Sequence, residues 1–254
     1  MNDAVTLAGD DPVAVAVVVA IRTGDLAKLQ RLLRDNPALA RASIDGGGGT
    51  ARTLLHVATD WPGHFPRGAA TVAALVQAGA DVSARFTGPH AETPLHWAAS
   101  SDDVEVLDAL LDAGADIEAP GAVIGGGTPL ADAVAFGQWR AARRLVERGA
   151  QTTLWQAAAL GLIDRVAASF AGDRPPSRDE VTNAFWCACH GGQRHSAEYL
   201  LGRGAELNWI GYDELTPLDA ARRQGAGELG EWLRSRGARS AREPAGADAS
   251  PERR

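Results

Sequence analysis

Apolar positions along this chain come in short bursts with helical spacing, and the bursts recur. Between residues 95 and 111, Leu95, Ala98 and Ala99 give one segment a single apolar face. Val104, Leu107, Leu110 and Leu111 do the same for a second segment. Residues three and four apart share a helix face, so each segment reads as a short amphipathic helix. Gly114 then takes the left-handed position that ends the second helix. The pair Gly-Ala recurs at Gly79-Ala80, Gly114-Ala115, Gly149-Ala150, Gly204-Ala205 and Gly237-Ala238, at intervals of 35, 35, 55 and 33 residues. An apolar helix end precedes each pair, as in Leu75-Val76, Leu145-Val146 and Trp232-Leu233. A second element opens the first helix of a unit: Thr53-Leu54-Leu55-His56, Thr93-Pro94-Leu95-His96, Thr128-Pro129-Leu130-Ala131 and Thr216-Pro217-Leu218-Asp219. Thr caps the helix, and Pro at its first position loses no hydrogen bond. One such helix pair cannot bury its own apolar face, so neighbours must stack.

Two motifs recurring in phase at a period near 33 residues resemble the ankyrin repeat, over about residues 20–238. The resemblance implies an all-α solenoid of helix-turn-helix units joined by short extended fingers. It also implies recognition of proteins through the fingers and the concave row of inner helices, an inference from fold alone. Seven units are expected. The first is a cap at Ala20–Leu33, its helix beginning in Asp11–Val19. Six follow, at Thr53–Val82, Thr93–Ile117, Thr128–Thr152, Leu154–Phe170, Asn183–Asn208 and Thr216–Gly237. The fifth lacks a Gly-Ala finger. Ala171–Pro176 breaks the chain there, and Ser177-Arg178-Asp179-Glu180 offers a capping box for the next helix. The domain organisation expected is an N-terminal extension (1–12), one repeat domain (13–238) and a disordered polar tail (239–254).

Departures from a plain repeat point to the candidate site. The second unit carries an insertion, Asp60-Trp61-Pro62-Gly63-His64-Phe65-Pro66, between its helices. Its aromatic and rigid composition suits either a plug over neighbouring helix ends or one wall of a pocket. The fingers Gly46–Gly49, Phe86–His90 and Gly121–Gly127 are glycine-rich. Seven Trp outnumber five Phe and two Tyr. Trp155 and Trp186 fall where the repeat usually has its histidine, and Trp232 lies on the buried face of the last helix; these read as core. Trp97 follows the motif histidine directly, a position that faces the groove in ankyrin repeats. Its equivalents are Val57, Asp132, Gln156, Cys187 and Ala220. Trp209 and Tyr212 are expected to overhang the same groove. His56 and His96 match the motif and are expected to bond within the repeat. His195 opens an outer helix, and His64, His90 and His190 occupy no motif position.

Composition narrows the function. With 45% apolar and 22% charged residues the chain is globular. A net charge of -7 argues against binding nucleic acid or anionic membranes. The run Val13–Ile21 is too short to span a bilayer and lacks the basic flank of a signal peptide. Cys187 and Cys189 cannot form a disulfide framework, which suggests the cytoplasm. One lysine against 24 arginines, with abundant Ala and Gly, suggests a GC-rich bacterial genome. Cys187-Ala188-Cys189-His190 lacks the second ligand pair that zinc wants. Gly225–Gly230 fits a dinucleotide pattern but lacks the preceding strand. No cofactor, metal or catalytic residue is assigned. The expectation is an adaptor binding an unidentified protein through Trp61, His64, His90, Trp97, Asp132, Gln156, Cys187, His190, Trp209 and Tyr212. The alternative is a small-molecule pocket on the concave face, with His64 or His190 as base and Asp132 as its partner.

Overall fold

The protein is seen here as a computed structural model that describes residues 5–243. Its contacts divide the chain into two compact units, Met1–Gln151 and Thr152–Arg254. Both are built from antiparallel helix pairs.

The first unit holds four pairs: α1 (Pro12–Thr23) with α2 (Leu26–Asp35), α3 (Leu54–Thr59) with α4 (Gly68–Gln77), α5 (Pro94–Ser100) with α6 (Val104–Asp112), and α7 (Pro129–Ala135) with α8 (Trp139–Glu147). The first members stack on one another as an inner row, α1–α3–α5–α7, and the second members form an outer row, α2–α4–α6–α8. Leu29, Leu54, Leu75, Leu95, Leu107, Leu130 and Leu145 are fully buried between the rows. The inner helices α3, α5 and α7 have only six or seven residues each, about two turns, too short to persist alone. Stacking therefore supplies their stability. The outer row is also tied by charge: Asp108 on α6 receives Arg144 of α8 at 2.9 Å and Arg148, the residue that ends α8, at 2.6 Å.

The expected all-α architecture stands, with a small sheet added at the first finger. Strand β1 (Thr6–Leu7) runs parallel to β2 (Ser43–Gly47), which pairs antiparallel with β3 (Thr50–Thr53). Ala51 and Thr87 exchange backbone bonds of 2.9 Å, linking the first finger to the next. Residues 6 and 7, part of the expected extension, are thus tied into this finger.

The second unit holds three pairs: α9 (Leu154–Leu160) with α10 (Ile163–Ala168), α11 (Arg178–His190) with α12 (Arg194–Gly202), and α13 (Pro217–Arg223) with α14 (Gly227–Ser235). Phe185, Leu200, Leu218 and Leu233 form its core, with Trp155, Phe170 and Tyr199 packed against them. The capping box at Ser177 and Glu180 forms and lengthens α11 to thirteen residues. The glycines of all five Gly-Ala pairs have φ between 90° and 102°.

The tail requires a correction. Its first residues, 239–243, fold back onto the last pair instead of being disordered. Ala241 donates to Asp219 Oδ2 at 2.8 Å, Arg239 donates to Asn208 Oδ1 at 2.8 Å, and Glu243 pairs with Arg234. Residues 244–254, the rest of that expected tail, lie outside the described residues.

One bond recurs between neighbouring repeats. The His56 ring takes the Thr53 hydroxyl at Nδ1 (2.8 Å) and donates from Nε2 to Glu92 O (3.1 Å). His96 does the same with Thr93 (2.9 Å) and Gly127 O (3.4 Å). The acceptor is each time the carbonyl just before the next helix cap. Burial pushes both imidazoles down to about 4, so they are neutral at pH 7 with the proton on Nε2. In the second unit Trp186 stands at the histidine's place. Its indole N–H donates to Leu215 O, just before the Thr216 cap, at 2.8 Å.

Candidate functional site

In the first unit the site is built where a finger meets an inner helix. Thr93 caps α5, so Glu92 stands just outside the helix and Trp97 lies one turn in. Trp97 is half-buried, edge-on to His56 at 4.9 Å and 5.3 Å from Phe86. Its indole donates to the Glu92 carboxylate. Glu92 is buried, and that burial pushes its carboxyl up. His90 is exposed nearby, where its charge bears on Glu92.

Asp132 occupies the corresponding place on α7, but it is fully buried and no groove wall. Its Oδ1 accepts the Ile124 N–H at 3.3 Å, and the Val123 N–H also bonds the carboxylate. Its Oδ2 has no hydrogen-bond partner. Burial first, and then the negative charge of Glu92 against the two N–H bonds, pushes the carboxyl up to about 7. The finger it holds is closed by Gly121 N to Gly126 O (2.9 Å) and Ala122 N to Gly127 O (3.0 Å). Val123 and Ile124 project at its tip, each 38% exposed.

The inserted loop lies at the other end of the inner helices. His64 N donates to Asp103 Oδ2 (2.7 Å), and His64 Nε2 donates to Ser101 O (3.0 Å), beyond the C-terminal end of α5. The finger meets α5 at its N-terminal end, and seven residues of helix separate the two by about 10 Å. On the other side, Pro66 packs on the first helix turn so closely that a Cβ at Gly24 would lie 2.3 Å from Pro66 O. The loop is therefore a plug across three neighbouring turns, and His64 does not join Trp97. Trp61 stays 74% exposed on this pinned loop, beside Asp60, which pairs with Arg22 (2.9 Å) and Arg52 (2.7 Å). A cleft of about 160 Å³ lies here, lined by His64, Phe65, Asp103, Glu105 and Arg140 among others. That is below the roughly 300–1,000 Å³ of small-molecule sites.

The second unit brings its candidates together differently. Trp186, at 3% exposure, stacks on His190 at 5.4 Å and meets Tyr212 edge-on at 5.1 Å. Trp209 stands perpendicular to Tyr212 at 6.1 Å. Tyr212 donates to Asn183 Oδ1 at 2.9 Å, and the Cys187 thiol points at the same oxygen at 3.9 Å. Gly211 makes this corner possible: a Cβ there would lie 2.5 Å from the Trp209 ring and 2.8 Å from Trp186. Ile210 and Tyr212 project from the finger, 57% and 54% exposed.

Two expectations need correcting here. Gln156 is a cap and not a groove residue. Its Oε1 accepts from Thr153 N at 2.8 Å and from the Thr153 hydroxyl at 3.0 Å, because α9 starts one residue late and puts Gln156 where the other boxes have His or Asp. Cys187 is buried, and that burial pushes its thiol up to about 12, so it is no nucleophile at neutral pH. Neither Cys187 nor Cys189 should react with iodoacetamide in the native protein at pH 7.4. Both should react in denaturant, as intact-mass spectrometry would show. Rapid native labelling would contradict the buried placement.

Among the described residues, no group of three or more His, Cys, Asp or Glu is arranged to hold a metal ion. Among them, no helix is long and apolar enough to cross a membrane. What the geometry does provide is apolar tips on fingers closed by backbone bonds and braced by buried side chains. Val123, Ile124, Ile210, Glu92 and Asn183 are the parts that sequence reasoning missed. A signal was present for three of them, since large aliphatic residues inside glycine-rich turns are out of place unless covered.

This architecture defines a helix-pair repeat protein that carries exposed apolar groups on two of its inter-repeat fingers. The family model for ankyrin repeats matches three copies over residues 67–154, and that stretch of the chain is built of ankyrin repeats. No curated protein matches the chain.

Proposed function

We propose that the chain is an adaptor that binds another protein through its finger tips and the aromatic residues beside them. Ankyrin repeats are generally protein-interaction modules. The observation that carries the reading here is the placement of exposed apolar groups. Val123, Ile124, Ile210 and Tyr212 all project from fingers and are held there by bonds behind them. Rigid apolar and aromatic groups at fixed positions lose little entropy on docking and make interface hot spots. Trp97 on inner helix α5 in the first unit, and Trp209 beside Tyr212 in the second, add half-exposed aromatic surface. The two buried free thiols suit a reducing cytoplasm.

The test is capture from host lysate on the immobilised full chain, beside Val123→Asp/Ile124→Asp and Ile210→Asp/Tyr212→Ala. Circular dichroism would verify that each variant folds. A stoichiometric protein should bind the wild type and fall at least about tenfold with either variant. A partner retained equally by both variants, or a bound metabolite with no protein, would overturn the reading.

A further inference from the structure

We propose that Asp132 is a proton-operated latch for the 121–127 finger: its carboxylate holds the tip through the Ile124 and Val123 N–H groups, and taking up a proton releases it. The geometry is specific. Among the described residues, the Asp132 side chain bonds the tip of this finger from a fully buried position on α7. Its second oxygen has no donor, so it has room in its bonding for a proton. The buried carboxylate of Glu92 bears on it as a second negative charge.

The surroundings leave the charge of Asp132 uncompensated. From α5, His96 bonds the base of the same finger at Gly127 O and is neutral, and Trp97 carries no charge. From the segment before α5 come Glu92 and the exposed His90. Arg85 is drawn to the backbone carbonyls of Ala91 and Pro120. From α8 and the residue that ends it, Arg144 and Arg148 are turned onto Asp108. The finger itself carries no charged residue.

In the ionised state the two N–H groups have a charged acceptor, the stronger kind. In the protonated state the acceptor is neutral, and the repulsion from Glu92 is gone. The proton comes from solvent and returns to it. Burial places this exchange near neutral pH, with the carboxyl pushed up to about 7. The tip carrying Val123 and Ile124 is thus held more firmly on the alkaline side and less firmly on the acid side. The latch is a property of the chain alone and stands whether or not the tip meets a protein partner.

The test is an NMR titration of the full chain from pH 5 to 9. The readouts are the amides of Val123 and Ile124 and the side-chain carboxyl carbon of Asp132. The Ile124 amide should shift with the same midpoint as that carboxyl. Its exchange protection, corrected for intrinsic rate, should drop about five- to tenfold below the midpoint. Asp132→Asn should flatten the Ile124 titration while leaving the Gly47 amide, held by Asp45 in another finger, as it was. Glu92→Gln should move the midpoint to lower pH, and this arm stands even if Asp132→Asn fails to fold. A flat Ile124 amide in the wild type, an unchanged titration in Asp132→Asn, or an unmoved midpoint in Glu92→Gln would overturn the latch.

Discussion

Replacing Asp132 with asparagine should stabilise the protein at pH 8 by about 2–4 kcal/mol and remove much of its pH dependence. The carboxyl is pushed up to about 7, chiefly by burial, from 3.8 in the unfolded chain. The folded state therefore binds the proton more tightly than the unfolded state does. Its contribution to stability is fully present below about pH 4. It is lost as pH rises from there through 7, because an uncompensated buried charge must then form. Glu92, pushed up by burial, acts in the same direction. Asparagine keeps an oxygen for the Ile124 N–H and brings no charge into the buried site. Urea unfolding at pH 5 and pH 8 would measure the effect. Wild type should lose stability between the two, and Asp132→Asn should lose clearly less. Equal losses would show that Asp132 is not the group responsible.

That acid also marks where the sequence was legible and where it was not. The Thr–Pro–Leu–His and Gly-Ala elements read directly as caps and helix ends, since capping depends on residues only three apart. Trp186 at the histidine's place was legible as core for the same reason. The bond that makes it the histidine's substitute runs to Leu215, 29 residues away, and no local pattern shows that. Asp132 was visible as a departure at an inner-helix position. That it faces the finger behind it rather than the groove depends on how residues 121–127 fold back. Glycines permit many such paths and specify none. Gln156 was misplaced because counting from the helix end and counting from the cap differ by one residue in α9. The composition of the inserted loop suits a plug as well as a pocket wall, and its contacts with Gly24, Ser101 and Asp103 make it a plug.

Truncating Trp186 should be the most damaging change in the second unit, costing about 3–5 kcal/mol as Trp186→Ala. The side chain is almost wholly buried, and its loss leaves a cavity beside His190 and Tyr212. It also removes one of the two N–H groups on Leu215 O, just before the α13 cap, and leaves that carbonyl with the Gly211 N–H. Trp186→Phe separates the two contributions. It fills most of the space and lacks the N–H, so its cost should be about 1–2 kcal/mol. The order Ala, then Phe, then wild type is expected in chemical unfolding. If Phe costs as much as Ala, the hydrogen bond and not the packing would dominate. A loss below about 0.5 kcal/mol for Ala would mean that Trp186 is not a core residue.

Docking of a protein partner on the fingers would be seen in hydrogen exchange of the full chain with and without the partner captured from lysate. Exchange should slow at residues 121–127 and 209–213, with the outer helices α6 and α8 unchanged. Protection confined to the outer helices, or to the 60–66 loop and its cleft, would contradict it.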